Sequence, residues 1–259
     1  MSKDQVKNVG LARALSKLGY CSRAQAAQLI RAGKVRVNGG VRRDPETPVR
    51  LGRHRVEIDG QAITARKRVY FVMNKPRGIV TTAADEKGRD TVYTLLGAEL
   101  PWVAPVGRLD KASEGLLLLT NDSEWASLIT APETHLDKTY HVQIGAIGDG
   151  ALIGTLKKGV RTKDGDTLRV KSASLLRHGG RNSWLEIILD EGKNRHIRRM
   201  LESLGIEVLR LIRVAIGPQA LGDIAKGSVR PLMSREKVAL DRAMQRGNQP
   251  PPQGSASEG

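Results

Sequence analysis

The chain has 259 residues, 39% hydrophobic and 27% charged, which suits one large folded domain or a large and a small one and excludes a wholly disordered chain. No run approaches the roughly 20 apolar residues of a bilayer span, MSKDQVKNVG lacks the apolar core of a secretory signal, and the single Cys21 excludes an intrachain disulfide or a cysteine-rich metal site. The net charge of +16 is unevenly spread: residues 1–68 carry 16 Lys and Arg against 5 Asp and Glu, a net of +11, and the remaining 191 residues carry +5. A small basic module on a nearly balanced larger domain is therefore expected, in the cytoplasm, away from membranes, with nucleic acid as the first class of partner.

In VGLARALSKLG, Leu11, Leu15 and Leu18 sit at helical spacing and Gly19 is a natural stop. Ser22 is an N-cap for a second helix, RAQAAQLIRAG, with Ala26, Leu29 and Ile30 as its apolar stripe. VRVNGG is a short alternating strand running into an Asn38-Gly39 turn, and HRVEIDG is its partner through Val56 and Ile58. This succession resembles the alpha-L RNA-binding motif of a small-subunit ribosomal protein and several RNA-modifying enzymes. The resemblance implies that Ser22, Arg23, Arg31, Lys34 and Arg36 meet RNA phosphate, contacts that supply affinity without reading bases.

Residues 61–68, QAITARKR, read as a linker that lacks Gly and Pro and so is not freely flexible, with Arg66, Lys67 and Arg68 as further candidates for phosphate. The next domain opens with an apolar strand in VYFVMNKPRG, broken at Pro76 and Gly78. TVYTLLG is a short helical piece. The run of four leucines at 116–119 is a strand buried on both faces, and just before it GRLD sets Arg108 and Asp110 on a bend. A helix follows in SEWASLIT, capped by Asp122 or Ser123, and then an alternating strand in LDKTYHVQIGA. ALIGTLKKGV is a short helix, DTLRVKSASLLR and SWLEIILDEG are strands, GKNRHIRRMLESLG is a helix and VLRLIRVAIGP a strand. From about Arg246, the Pro- and Gly-rich end is expected to be disordered, giving domains at 8–60 and 69–241, a linker at 61–68 and a tail at 246–259.

An acid beside a strand end is by itself a cap or a salt-bridge member. Here VGRLDKASEGLLLLTND stands with MNKPRGIVTT, DKTYHVQI and EGKNRHIRRM, and together these four segments resemble the bacterial ribosomal-RNA pseudouridine synthases of the RsuA type. That resemblance implies an α+β catalytic domain on a mixed, largely antiparallel sheet, and isomerisation of uridine in ribosomal RNA without a cofactor or a metal. It implies Asp110 as the catalytic carboxylate, Tyr140 as the ring that receives the extruded base, and Arg108 as the group holding the nucleotide out of its helix. Arg198 is the best match for the arginine beside the acid, with Arg195 and Arg199 as alternatives. Lys75 and Arg77 are candidates for the phosphate backbone. Lys193 and His196 stand where Arg and Gln are usual, and KASEG lacks the common Thr or Asp before its glutamate; neither removes the acid, the tyrosine or the basic helix. The expected partner is ribosomal RNA or a pre-ribosomal particle and the expected state a monomer. Large-subunit rRNA is the leading substrate, with small-subunit rRNA or a noncatalytic ribosome-assembly role as alternatives.

Overall fold

The computed structural model describes residues 8–82 and 88–247. Two short helices, α1 (Leu11–Lys17) and α2 (Arg23–Arg31), open the chain. Ser22 caps α2 as expected: its Oγ accepts the Gln25 N–H at 3.1 Å while the Gln25 side chain accepts the Ser22 N–H at 3.0 Å, a reciprocal capping box. Four antiparallel strands follow, β1 (Val35–Val37), β2 (Gly40–Arg42), β3 (Val56–Ile58) and β4 (Gln61–Ala62), in spatial order β2-β1-β3-β4. Asn38 and Gly39 both take positive φ, 50° and 81°, the conformation that lets two residues join β1 to β2. The helices lie on this sheet through Leu11, Leu15, Ala26, Ile30, Val35 and Ile58.

The second unit is built on a nine-stranded sheet. Its strands are β5 (Tyr70–Lys75), β6 (Ala104–Val106), β7 (Glu114–Thr120), β8 (Lys138–Ile144), β9 (Ser172–His178), β10 (Ser183–Leu189), β11 (Val208–Ile216), β12 (Val229–Pro231) and a short strand at Gln219–Ala220. The order along the sheet is β9-β10-β8-β11-β7-β5-β12, with β6 also on β7; the β7–β11 pair is parallel and every other pair antiparallel, so the sheet is mixed and largely antiparallel, as expected. Helices α3 (Ser123–Thr130), α4 (Gly150–Lys158), α5 (His196–Ser203) and α6 (Ser234–Gly247) pack around it. β7 is buried along its whole length because each face meets a different core. Leu116 and Leu118 pack with Trp125, Ile129 and Leu240, whereas Leu117 and Leu119 pack with Phe71, Met73, Val103 and Leu109. At about 2 kcal/mol per buried leucine, burial on both faces holds this strand firmly in place.

Several expectations need correction. Arg246 and Gly247 belong to α6; the remainder of the expected disordered tail, from residue 248, lies outside the described residues. DTLRVKSASLLR is two strands, because its first part turns back to pair Thr167–Leu168 with Val160–Arg161. Segment 63–69, most of it in the expected linker, is held in place: the Arg66 N–H donates to Leu18 O at 3.0 Å, and Asn121 accepts from Val69 N and donates to Lys67 O, both at 2.9 Å. Arg66 lies 4.8 Å over the Tyr20 ring and Arg68 reaches Asp122 at 3.1 Å, so both are engaged within the chain rather than free for phosphate.

Candidate active site

Asp110 is exposed at the mouth of a cavity of about 320 Å3. Its backbone is fixed from residue to residue. Thr81 Oγ donates to Leu109 O at 2.8 Å, the Ser113 N–H to Asp110 O at 3.0 Å and the Gly78 N–H to Lys111 O at 2.8 Å. Arg198 Nη2 donates to Ala112 O at 3.0 Å. Lys75 then takes three carbonyls at once, with Nζ donating to Pro76 O at 3.0 Å, Asp110 O at 3.2 Å and Ser113 O at 2.9 Å. An acid on an immobile loop, mounted on a strand buried on both faces, presents its carboxylate without an ordering cost at each encounter.

Lys75 therefore departs from its expected place. Its side chain is 0% exposed, which puts it out of reach of RNA phosphate, and it serves as the anchor of the Asp110 loop. Burial pushes its ammonium down to about 8, against the pull of Asp110 and Glu114. Arg77, the other candidate of that segment, is exposed and reaches Leu209 O at 3.4 Å.

The cavity brings together most of the remaining expected residues. Arg108 and Asp110 come from the loop, Tyr140 from β8, and Gly192, Lys193, Asn194, Arg195, His196 and Ile197 from the approach to α5. That helix starts later than the motif suggests, at His196, and Arg195 before it is left-handed with φ 48°, so Arg195 does not share a helix face with Arg199. Arg199 is turned away, bound to Asp164 and at 2.6 Å to Asp166. Arg198 is half-buried against the Asp110 loop; burial lowers its pKa and the Asp110 carboxylate acts in the opposite sense. Of the three candidate arginines, Arg198 has a hydrogen bond to the loop that carries the acid.

His196 is buried with Nδ1 3.9 Å from the Glu191 carboxylate, and burial pushes its pKa down against the pull of Glu191. Among the described residues, no group of three or more His, Cys, Asp or Glu is placed to hold a metal ion.

Arg213 on β11 is a residue the motifs did not single out. One row across the sheet reads Lys75, Gly115, Arg213, Tyr140 and Ile187, each in register with the next, so their side chains share the face below the cavity. A β-bulge between Tyr140 and Thr139 skips Val214 and re-aims this row where the cavity opens. Arg213 is 6% exposed, lines the cavity, and donates from Nε to Leu116 O at 2.8 Å. Its signal in the sequence is parity: in VLRLIRVAI, Arg213 stands in the same alternating set as the buried Leu211, where a charge is out of place. Gly115 permits the crossing, since at φ 104° a Cβ there would lie 2.3 Å from Arg213 O.

In the basic module, Arg23, Arg31, Lys34 and Arg36 are exposed, whereas Ser22 Oγ is engaged in capping α2. The seam between the two units is closed by Lys17 and Glu124 at 2.8 Å.

A basic four-stranded module fixed beside a sheet with one acid over a tyrosine- and arginine-lined cavity defines a nucleic-acid-modifying enzyme. The RNA pseudouridylate synthase family matches residues 69–203, and the S4 domain matches residues 9–54. The ribosomal large subunit pseudouridine synthase B of Bacillus subtilis is 35% identical over 231 residues, covering 89% of this chain and 94% of that protein. An uncharacterized RNA pseudouridine synthase of Rickettsia bellii is 39% identical over 225 residues, covering 87% and 97%. A crystal structure of a pseudouridylate synthase superposes with a TM-score of 0.63 at 28% identity, covering 90% of this chain and 99% of that one. The chain belongs to the RNA pseudouridine synthase family, and its reaction is the isomerisation of uridine to pseudouridine in RNA.

Proposed function

We propose that the protein isomerises a uridine of large-subunit ribosomal RNA, acting as a monomer on the RNA or on a pre-ribosomal particle in the cytoplasm. The observation that carries this reading is the loop at 109–113, with each carbonyl held by a neighbour and Asp110 exposed at the cavity. A binding protein gains nothing from an immobilised carboxylate facing a polyanion, because it repels the ligand. The similarity to an enzyme named for the large subunit supports that choice of rRNA.

In this reading Asp110 attacks or deprotonates the ribose as the base-to-ribose bond breaks. Arg198 stays against the acid loop and places a positive charge beside it. Tyr140 receives the uracil ring, and Arg108, exposed at the mouth, fills the space the flipped nucleotide leaves. Arg23, Arg31, Lys34 and Arg36 of the basic module, with the exposed Arg77, hold phosphates. The family reaction needs no resident cofactor, since no atom or electron is gained or lost.

The test is a site-by-site pseudouridine map of both rRNAs and of tRNA in a deletion strain. Loss of one large-subunit site supports the proposal; loss confined to small-subunit rRNA or to tRNA moves the substrate.

A further inference from the structure

Arg213 carries a charge that the sheet around it does not neutralise. Among the described residues, its one side-chain hydrogen bond is the Nε donation to Leu116 O, and Nη2 is buried without an acceptor. A buried guanidinium without an anion is costly and persists where something else depends on it. The little surface it retains opens into the catalytic cavity beside Tyr140, its partner across the strands. The floor is positive beyond this one group: Lys138 lines the same cavity, and burial followed by the charge of Arg213 lowers its pKa. The acceptor missing from the folded protein is one that enters with the substrate.

The reaction supplies such an acceptor. When the C1′–N1 bond breaks, its electron pair stays with the base, which becomes a monoanion with charge shared by N1, O2 and O4. The base turns, its C5 forms the new bond to C1′, the C5 proton leaves and N1 gains a proton, so atoms and charge balance. Negative charge on the base is greatest between the two bonds, and a donor fixed in advance stabilises that state most.

We propose that Arg213 is a further catalytic residue, whose Nη groups donate hydrogen bonds to a carbonyl oxygen of the flipped uracil and stabilise the detached base. This rests on uridine isomerisation at the cavity and assigns the base a donor distinct from Arg198, which serves the acid loop.

The test uses full-length wild type, Arg213→Gln and Arg213→Lys in single-turnover reactions. The probe is the rRNA transcript that the wild type modifies, made with uridine or with 5-fluorouridine, and the readout is loss of the original nucleoside after digestion. Fluorine withdraws charge from the detached base and should make the missing donor matter less. Arg213→Gln is expected to slow loss of uridine by about 100- to 1000-fold and loss of 5-fluorouridine by clearly less, with Arg213→Lys between wild type and Gln on both. Equal slowing on both substrates would overturn the proposal, because a residue that only supports the sheet or Asp110 is insensitive to the leaving base. Wild-type rates in Arg213→Gln would overturn it as well. If Arg213→Gln fails to fold, Arg213→Lys carries the same comparison, and equal slowing there is equally fatal.

Discussion

Replacing Lys75 with Met keeps the stem and removes the ammonium that holds Pro76 O, Asp110 O and Ser113 O at 2.9–3.2 Å. Asp110 O keeps the Ser113 N–H at 3.0 Å, so two carbonyls lose their donor outright and one is weakened. An orphaned buried acceptor costs about 1–3 kcal/mol, and relief from burying a charge returns part of that, leaving a net loss of roughly 2–4 kcal/mol. The loss should depend on pH in a defined direction. Lys75 has a pKa of about 8 in the folded protein against 10.5 for an ordinary lysine, so between those values the unfolded chain holds the extra proton. Wild-type stability therefore gains with rising pH across that window, and the variant lacks this gain. The gap between them should widen above pH 8 by at most roughly 1 kcal/mol per pH unit. Urea unfolding followed by circular dichroism, at about pH 7 and about pH 9.5, measures both quantities, and a turnover assay on folded variant should show a loss greater than the unfolded fraction explains. A variant within about 0.5 kcal/mol of wild type at both pH values, with full turnover, would refute the anchoring role.

Gly115→Ala places a Cβ 2.3 Å from Arg213 O on a backbone with φ 104°; a loss of roughly 3 kcal/mol or more is expected, seen as a lower urea midpoint, with turnover falling as Arg213 is displaced. Arg198→Met and Arg199→Met separate two neighbours by function. The first should slow single-turnover conversion by roughly 100-fold or more; the second loses its contacts to Asp164 and Asp166 and should lower the melting temperature while leaving turnover within about twofold of wild type. Arg23→Gln with Arg31→Gln should reduce the slope of log affinity against log salt by about 1–2 in RNA-binding titrations, with little change in turnover at saturating RNA.

Where local chemistry decides structure, the sequence was legible. The four leucines of β7, the Ser22 cap and the Asn38-Gly39 turn each follow from one short pattern, and the structure has all three. Asp110 and Tyr140 were legible through motifs, and they line one cavity. Lys75 was misread because a lysine between Asn74 and Pro76 has the look of a solvated basic flank; only the return of the loop at 109–113 over the end of β5 buries it. Arg213 was missed because its place is set by a parallel strand contact distant in sequence and by a bulge, neither of which leaves a local trace beyond parity. The start of α5 was placed early because Gly192 to Arg195 carry charge without apolar periodicity, and left-handed backbone at a non-glycine residue has no sequence signature of its own.

The central claim is that Asp110 is the acid that breaks the bond between uracil and ribose. The most direct measurement is a pseudouridine map of rRNA from cells whose sole copy carries Asp110→Ala, with the variant's abundance checked against wild type. Loss of the same site that disappears in the deletion strain, at normal protein abundance, is the expected result; full modification at that site would contradict the account.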